Sequence, residues 1–272
     1  MGITKTAKLK KNKIGLALSS GAARGLAHIG VLGALEKAGI PINMIAGTSM
    51  GALIGALYAQ GKTVSELKTL AIELGSRRFS LLSDLTLPRA GLIQGRRIKN
   101  TLKSIIGDRE FQDLKIPFAC VATDIETGEE VVINQGSVLE GIKASSSIPI
   151  MFTVAKWKNK YLVDGALVNP VPVSVIREMG ADFIIAVNVA PDVSKKAYQH
   201  NKAPNIFNII MQTIYIASYR VAEYSLSGAD VVIEPQVTHI ASMDFHRGQE
   251  CILQGEIATQ ASIPEIKRKL KI

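Results

Sequence analysis

Asn43-Met44-Ile45-Ala46-Gly47-Thr48-Ser49-Met50-Gly51-Ala52-Leu53-Ile54-Gly55-Ala56-Leu57 runs from a short apolar strand pattern, through Gly-x-Ser-x-Gly, into a helical pattern. In that context Gly47-Thr48-Ser49-Met50-Gly51 has the form of a nucleophile elbow. Small residues beside the serine let the backbone take a strained turn that holds Oγ out at a helix N-terminus. The helix dipole there favours developing negative charge. A glycine-rich turn with an ordinary N-cap serine would carry the same letters. A hydrolase also needs a base and an oxyanion hole, which other segments must supply.

Outward from the elbow, strands and helices alternate. Ile14–Leu18 is an apolar strand, followed by the turn Ser19-Ser20-Gly21-Ala22-Ala23-Arg24-Gly25 and a helix to Lys37. Residues 43–46 form the second strand, and the helix after the elbow reaches Gln60. Thr63, with Glu66 three residues on, caps a helix to Leu74. Residues 79–93 are apolar without a clean period and suggest a flap; 95–106 reads as a basic helix. Strands are expected at 116–124 and 130–134, a short helix at 138–143, and a hairpin over 154–163 turning at Asn159. Phe183–Val189, apolar but for Asn188, is expected to be a central strand. Residues 191–204 are polar. Helices over 205–226 and 247–270 flank a short strand at 231–233. Apolar strands alternating with helices predict an α/β fold with helices on both faces of a mainly parallel sheet. No linker interrupts the pattern, so a basic flexible tail (1–13) and a single domain (14–272) are expected.

With 47% apolar and 20% charged residues, the chain can bury a substantial core. Cys120 and Cys251 read as buried free thiols of a reducing compartment. Neither a signal peptide nor a run of 18 apolar residues is present, so a cytoplasmic protein is expected. The net charge of +9 includes Lys5, Lys8, Lys10, Lys11 and Lys13. Two readings of this tail stay open: a solvated segment, or one drawn to an anionic membrane surface. Aromatics at 5% and the lack of a recognition module argue against nucleic acid.

Histidine is the usual base for a serine nucleophile. His28 lies within an apolar helix and reads as a packed side chain. His200, His239 and His246 carry no local signature, so a Ser–His–Asp triad stays open but unanchored. A carboxylate is the other option. Asp164 ends the apolar Tyr161-Leu162-Val163 run and precedes Gly165-Ala166, small residues that admit a close neighbour. The turn Gly21-Ala22-Ala23-Arg24-Gly25 offers backbone N–H groups at a strand-to-helix junction, suited to an anion. Arg24 either holds a phosphate or braces the turn. The apolar helix from Asn205 either walls an acyl chain, fills core, or forms a homo-oligomer face.

Three blocks, Gly21–Gly25, Gly47–Gly51 and Asp164–Ala166, stand in order, with Ala144-Ser145-Ser146-Ser147-Ile148-Pro149 between the last two. Together they resemble the patatin-like phospholipase family, in its bacterial branch, similar to the catalytic domain of neuropathy target esterase. The resemblance runs from about Ile14 to Val189. It implies a three-layer α/β/α fold and a serine acyl hydrolase of phospholipase, lysophospholipase or carboxylesterase type, with Ser49 as nucleophile and Asp164 as base. The amides of Gly21, Ala22, Ala23, Arg24 and Gly25 would form the oxyanion hole. No metal or other cofactor is required. The implied substrate is a phospholipid, lysophospholipid or other acyl ester. One departure stands out: the family's first block is a glycine run, where this chain has Ser19-Ser20-Gly21-Ala22, and alanine resists positive φ. That departure keeps a non-enzymatic, lipid-binding role on the same fold as an alternative.

Overall fold

The computed structural model describes residues 12–75, 102–149, 154–190 and 206–272. Its strands are β1 (Ile14–Leu18), β2 (Met44–Thr48), β3 (Phe118–Asp124), β4 (Glu130–Ile133), β5 (Ala155–Trp157), β6 (Lys160–Asp164), β7 (Phe183–Val187) and β8 (Val231–Ile233). The helices are α1 (Ala27–Lys37), α2 (Met50–Ala59), α3 (Val64–Gly75), α4 (102–106), α5 (Val138–Ser145), α6 (Val173–Glu178), α7 (Ile206–Ser225) and α8 (Gly248–Leu270). A 3-10 turn, Ala22–Leu26, joins β1 to α1.

The strands form one sheet in the order β5-β6-β3-β2-β1-β7-β8, with β4 paired to β3 outside that path. Pairs among β3, β2, β1, β7 and β8 are parallel; those of β3 with β4 and β6, and of β5 with β6, are antiparallel. Alternation along each strand builds two cores. Leu16, Leu18, Ile45, Cys120, Ile185 and Val187 meet apolar residues of α1, α2, α3, α5 and α8. Ala17, Met44, Ala46, Ala119, Val121 and Ile184 meet α6 and Ala222 of α7. Apolar side chains on both faces explain why the parallel strands read as unbroken apolar runs.

Several expectations need adjustment. β2 runs on through Gly47 and Thr48, two residues past its expected end. Phe183–Val187 is buried on both faces but lies next to the edge strand β8, one place from the border. Helix α6 carried no recognisable period: it is six residues long and follows Pro170-Val171-Pro172. The expected cap of α3 is present, with Glu66 Oε2 accepting from Thr63 N–H and Thr63 Oγ1 accepting from Glu66 N–H. Both cysteines are free and buried. The tail to residue 11, the flap at 79–93, most of the basic helix, and the polar stretch 191–204 lie outside the described residues.

Helices α1 and α8 pack backbone to backbone. A methyl group on Gly30 would overlap the Ile252 carbonyl, and one on Gly255 would overlap the Ala27 carbonyl. Neither clash is relieved by rotating a side chain, so the helices must separate. Gly30→Ala and Gly255→Ala are each expected to destabilise by about 2 kcal/mol and lower the melting midpoint by about 4–8 °C. Melts followed by circular dichroism check this; an unchanged midpoint would show that the helices part freely.

Candidate active site

Register on β3 creates the site. Val121 pairs with Thr48 of β2 on one side and Val132 of β4 on the other. The next residue, Ala122, pairs with Val131 of β4 and Asp164 of β6. Strands β2 and β6 therefore occupy the same edge of β3 and run toward each other. Their C-terminal ends stop on adjacent rungs. Ser49 follows the last residue of β2, and Asp164 is the last of β6.

Ser49 takes φ 55° and ψ −118°, a conformation that a residue with a Cβ rarely adopts. A Cβ on Gly47 would collide with the Gly51 backbone, and one on Gly51 with the Leu18 and Ser19 carbonyls. Both glycines are thus required by close backbone approach. The Ser49 hydroxyl donates to Asp164 Oδ2 at 2.6 Å. Asp164 Oδ1 accepts from Ala166 N–H at 2.9 Å, and Gly165 leaves room for the Val121 carbonyl. Thr123 Oγ1 donates to the Asp164 carbonyl, and Asp164 N–H donates to the Ser147 carbonyl. Burial pushes the Asp164 carboxyl up from 3.8 to about 6, although the bonds from Ser49 and Ala166 oppose the shift.

The turn at 21–25 lies against the elbow. Gly25 makes room for Met50, and a Cβ on Gly21 would meet Val189. Ala22 sits at φ +48°, so the alanine is held in the left-handed region that the sequence led one to doubt. Amides of this turn are engaged within the fold: Ala23 N–H donates to the Ser242 carbonyl and Arg24 N–H to the Gly21 carbonyl, and Gly25 lies inside the 3-10 turn. Among the described residues, no acceptor meets the Gly21 or Ala22 N–H. The Arg24 side chain, 1% exposed, donates to the Ile240 carbonyl and Ser242 Oγ and lies over the Tyr215 ring. Of its two open readings, bracing the turn is the one this geometry fits.

His28 is fully buried, with Nε2 against the Ser19 carbonyl; desolvation lowers its pKa to about 4 and keeps it neutral. His239 pairs with Glu250 on the surface, and His246 is exposed. None of these three bonds to Ser49 or Asp164; His200 lies outside the described residues. Four contacts carried no sequence signal of their own. Thr48 Oγ1 donates to the Asn169 carbonyl, and Asn169 Nδ2 donates to Glu130 Oε2 and Ser174 Oγ. Ser145 Oγ accepts from Ser49 N–H at 2.9 Å. Ile209 and Ile216, offered as part of an acyl-chain wall, are about half exposed on α7. Among the described residues, no group of three or more His, Cys, Asp or Glu side chains is placed to hold a metal ion, and no helix is long and apolar enough to cross a membrane.

A strained serine between a parallel strand and a helix, bonded to a buried aspartate, puts the chain among three-layer α/β proteins built on a nucleophile elbow. A family model described as patatin-like phospholipase matches residues 16–176, and the chain belongs to that family. It is 30% identical over 266 residues to a lysophospholipase of Scheffersomyces stipitis, covering 89% of this chain and 17% of that protein. An uncharacterized NTE family protein of Mycobacterium tuberculosis is 36% identical over 177 residues, covering 65% of this chain and 49% of that protein. The chain thus spans half or less of the length of these relatives. In fold it is similar to VipD from Legionella pneumophila, with a TM-score of 0.55 at 12% identity, covering 94% of this chain and 67% of that one.

The raised Asp164 pKa has a consequence for stability that is independent of catalysis. Between its unfolded value of 3.8 and its folded value of about 6, the native state binds more protons than the unfolded chain. Stability attributable to Asp164 therefore falls as pH rises through that window, by on the order of 3 kcal/mol once pH exceeds 6. Asn at this position keeps an acceptor for Ala166 and a polar partner for Ser49 without a charge. Asp164→Asn is expected to melt above the parent chain at pH 8 and level with it below pH 4. A variant melting lower at pH 8 would mean that the ionised carboxylate stabilises the fold.

Proposed function

We propose that this chain is a lipid acyl hydrolase working through a Ser49–Asp164 dyad, with residues 14–272 acting as one hydrolase domain. The 2.6 Å bond between Ser49 Oγ and Asp164 Oδ2, at a strained elbow, carries the reading. Ionised Asp164 takes the Ser49 proton as Oγ attacks the acyl carbonyl. The Gly21 and Ala22 amides, which lack other acceptors among the described residues, receive the oxyanion. Asp164 returns its proton to the departing alcohol. It then deprotonates the water that frees the fatty acid. Family membership and the name of the Scheffersomyces stipitis relative, a lysophospholipase, support a phospholipid, lysophospholipid or similar acyl ester as substrate. The net charge of +9 supports work at the surface of an anionic membrane.

A fluorophosphonate probe is expected to label the parent chain and not Ser49→Ala. Ester hydrolysis is expected to fall by at least about 10³-fold in Ser49→Ala and Asp164→Asn. His28→Asn, His200→Ala, His239→Ala and His246→Ala should retain activity. Because the base acts ionised, kcat/KM should rise with pH through about 6 and then level off. Full activity in Asp164→Asn, or loss of chemistry in a folded histidine variant, would replace the dyad with another base.

A further inference from the structure

The helix carrying Ser145 touches both halves of the dyad, although the proposed mechanism gives it no part. Ser145 is the last residue of α5 and is fully buried. Its Oγ accepts from the backbone N–H of Ser49 at 2.9 Å. Two residues on, the Ser147 carbonyl accepts from Asp164 N–H at 3.0 Å, and the Ser147 hydroxyl ties back to the Lys143 carbonyl at 2.7 Å. One turn of chain thus holds the nucleophile through a side chain and the carboxylate through a backbone group.

That turn rests on a fixed base. Val138, Leu139, Ile142 and Ala144 are buried in the larger core, and Ser137 caps the helix by accepting from Glu140 N–H. Gly141 lets α5 approach Phe111 and the Cys120 sulfur closely. Ser49 needs such a restraint: its φ of 55° would relax toward the ordinary basins if nothing held its amide. An N–H buried at this point would also be costly without an acceptor.

We propose that Ser145 is a positioning residue for Ser49. Its hydroxyl oxygen holds the nucleophile's amide, so that the strained φ persists and Oγ stays in line with Asp164. It also engages the one amide of Ser49, leaving the oxyanion to donors on the 21–25 turn. The proposal rests on Ser49 acting as nucleophile, and the two claims separate in one experiment.

Ser49→Ala, Ser145→Ala and Ser145→Cys are compared on a soluble fluorogenic ester, each corrected for folded protein by its thermal melt. Ser145→Ala is expected to lower kcat and the rate of fluorophosphonate labelling by about 10–100-fold, with KM within about twofold. Ser145→Cys, which keeps a weak acceptor of similar size, should fall between Ser145→Ala and the parent. If Ser145→Ala folds poorly, the same kcat-only fall in Ser145→Cys carries the proposal. Loss of all turnover in Ser49→Ala, with both Ser145 variants within about twofold of the parent kcat, would overturn the positioning role and leave the nucleophile standing. A rise in KM that accounts for the whole loss would also overturn it. Undiminished turnover in Ser49→Ala would instead remove the nucleophile on which both claims depend.

Discussion

Two strands ending head to head along one edge of β3 set the terms for everything else in this molecule. Because Thr48 and Asp164 pair with the consecutive residues Val121 and Ala122, the serine beyond one strand end meets the carboxylate at the other. An antiparallel β6 is needed for this. A parallel strand in the same place would present its N-terminal end to Ser49, and Asp164 would lie a strand length away. The three antiparallel strands at one end of an otherwise parallel sheet are therefore part of the site. They also bring the α5 terminus over the junction, where Ser145 and Ser147 reach both strand ends.

The junction is expensive to maintain. Ser49 and Ala22 hold left-handed φ values, each costing roughly 1–3 kcal/mol. Asp164 is charged at neutral pH while almost fully buried. Against these costs stand the two apolar layers and a set of short polar ties. Thr48 to Asn169, Thr123 to the Asp164 carbonyl, Asp164 to Ala166, and the Arg24 brace each restrain a group beside the strain. Each of these ties removes a direction in which the strained backbone could relax. An elbow of this kind survives only where the surroundings over-determine it.

How much of this was readable in the residues follows from the range of the forces involved. The elbow, the 21–25 turn and Asp164-Gly165-Ala166 were legible because glycine and alanine record close approach directly in sequence. Gly51 against Leu18 and Ser19, and Gly165 against Val121, are the contacts those letters encode. The last two residues of β2 were not legible, since Gly47-Thr48 has the composition of a turn and becomes strand by pairing with Leu18 on one side and with Cys120 and Val121 on the other. Helix α6 escaped because six residues between a Pro-Val-Pro stretch and β7 show no period. Ser145 was visible inside the Ala144–Pro149 block, but its role was not. A serine at a helix end has many local uses, and nothing nearby in sequence points to an amide 96 residues away.

Under the proposed dyad mechanism, a carboxylate partner also suits the burial of the site. A neutral histidine accepting the Ser49 proton would become a cation as the oxyanion forms, creating two charges beside buried side chains. Such a pair needs a further anion to hold it. With Asp164 as the proposed base, the proton would neutralise one negative charge while another appeared on the substrate oxygen. Charge is moved over a short distance, and the number of buried ions stays at one. Desolvation, which raises Asp164 toward 6, makes it a better proton acceptor than an ordinary exposed aspartate while still leaving it ionised at neutral pH. The oxyanion then needs only fixed dipoles, which the backbone of the 21–25 turn can supply without any side-chain charge. On this account the neutral, buried His28 is consistent with the chemistry rather than an omission from it: a site that relocates one charge has no use for a second base.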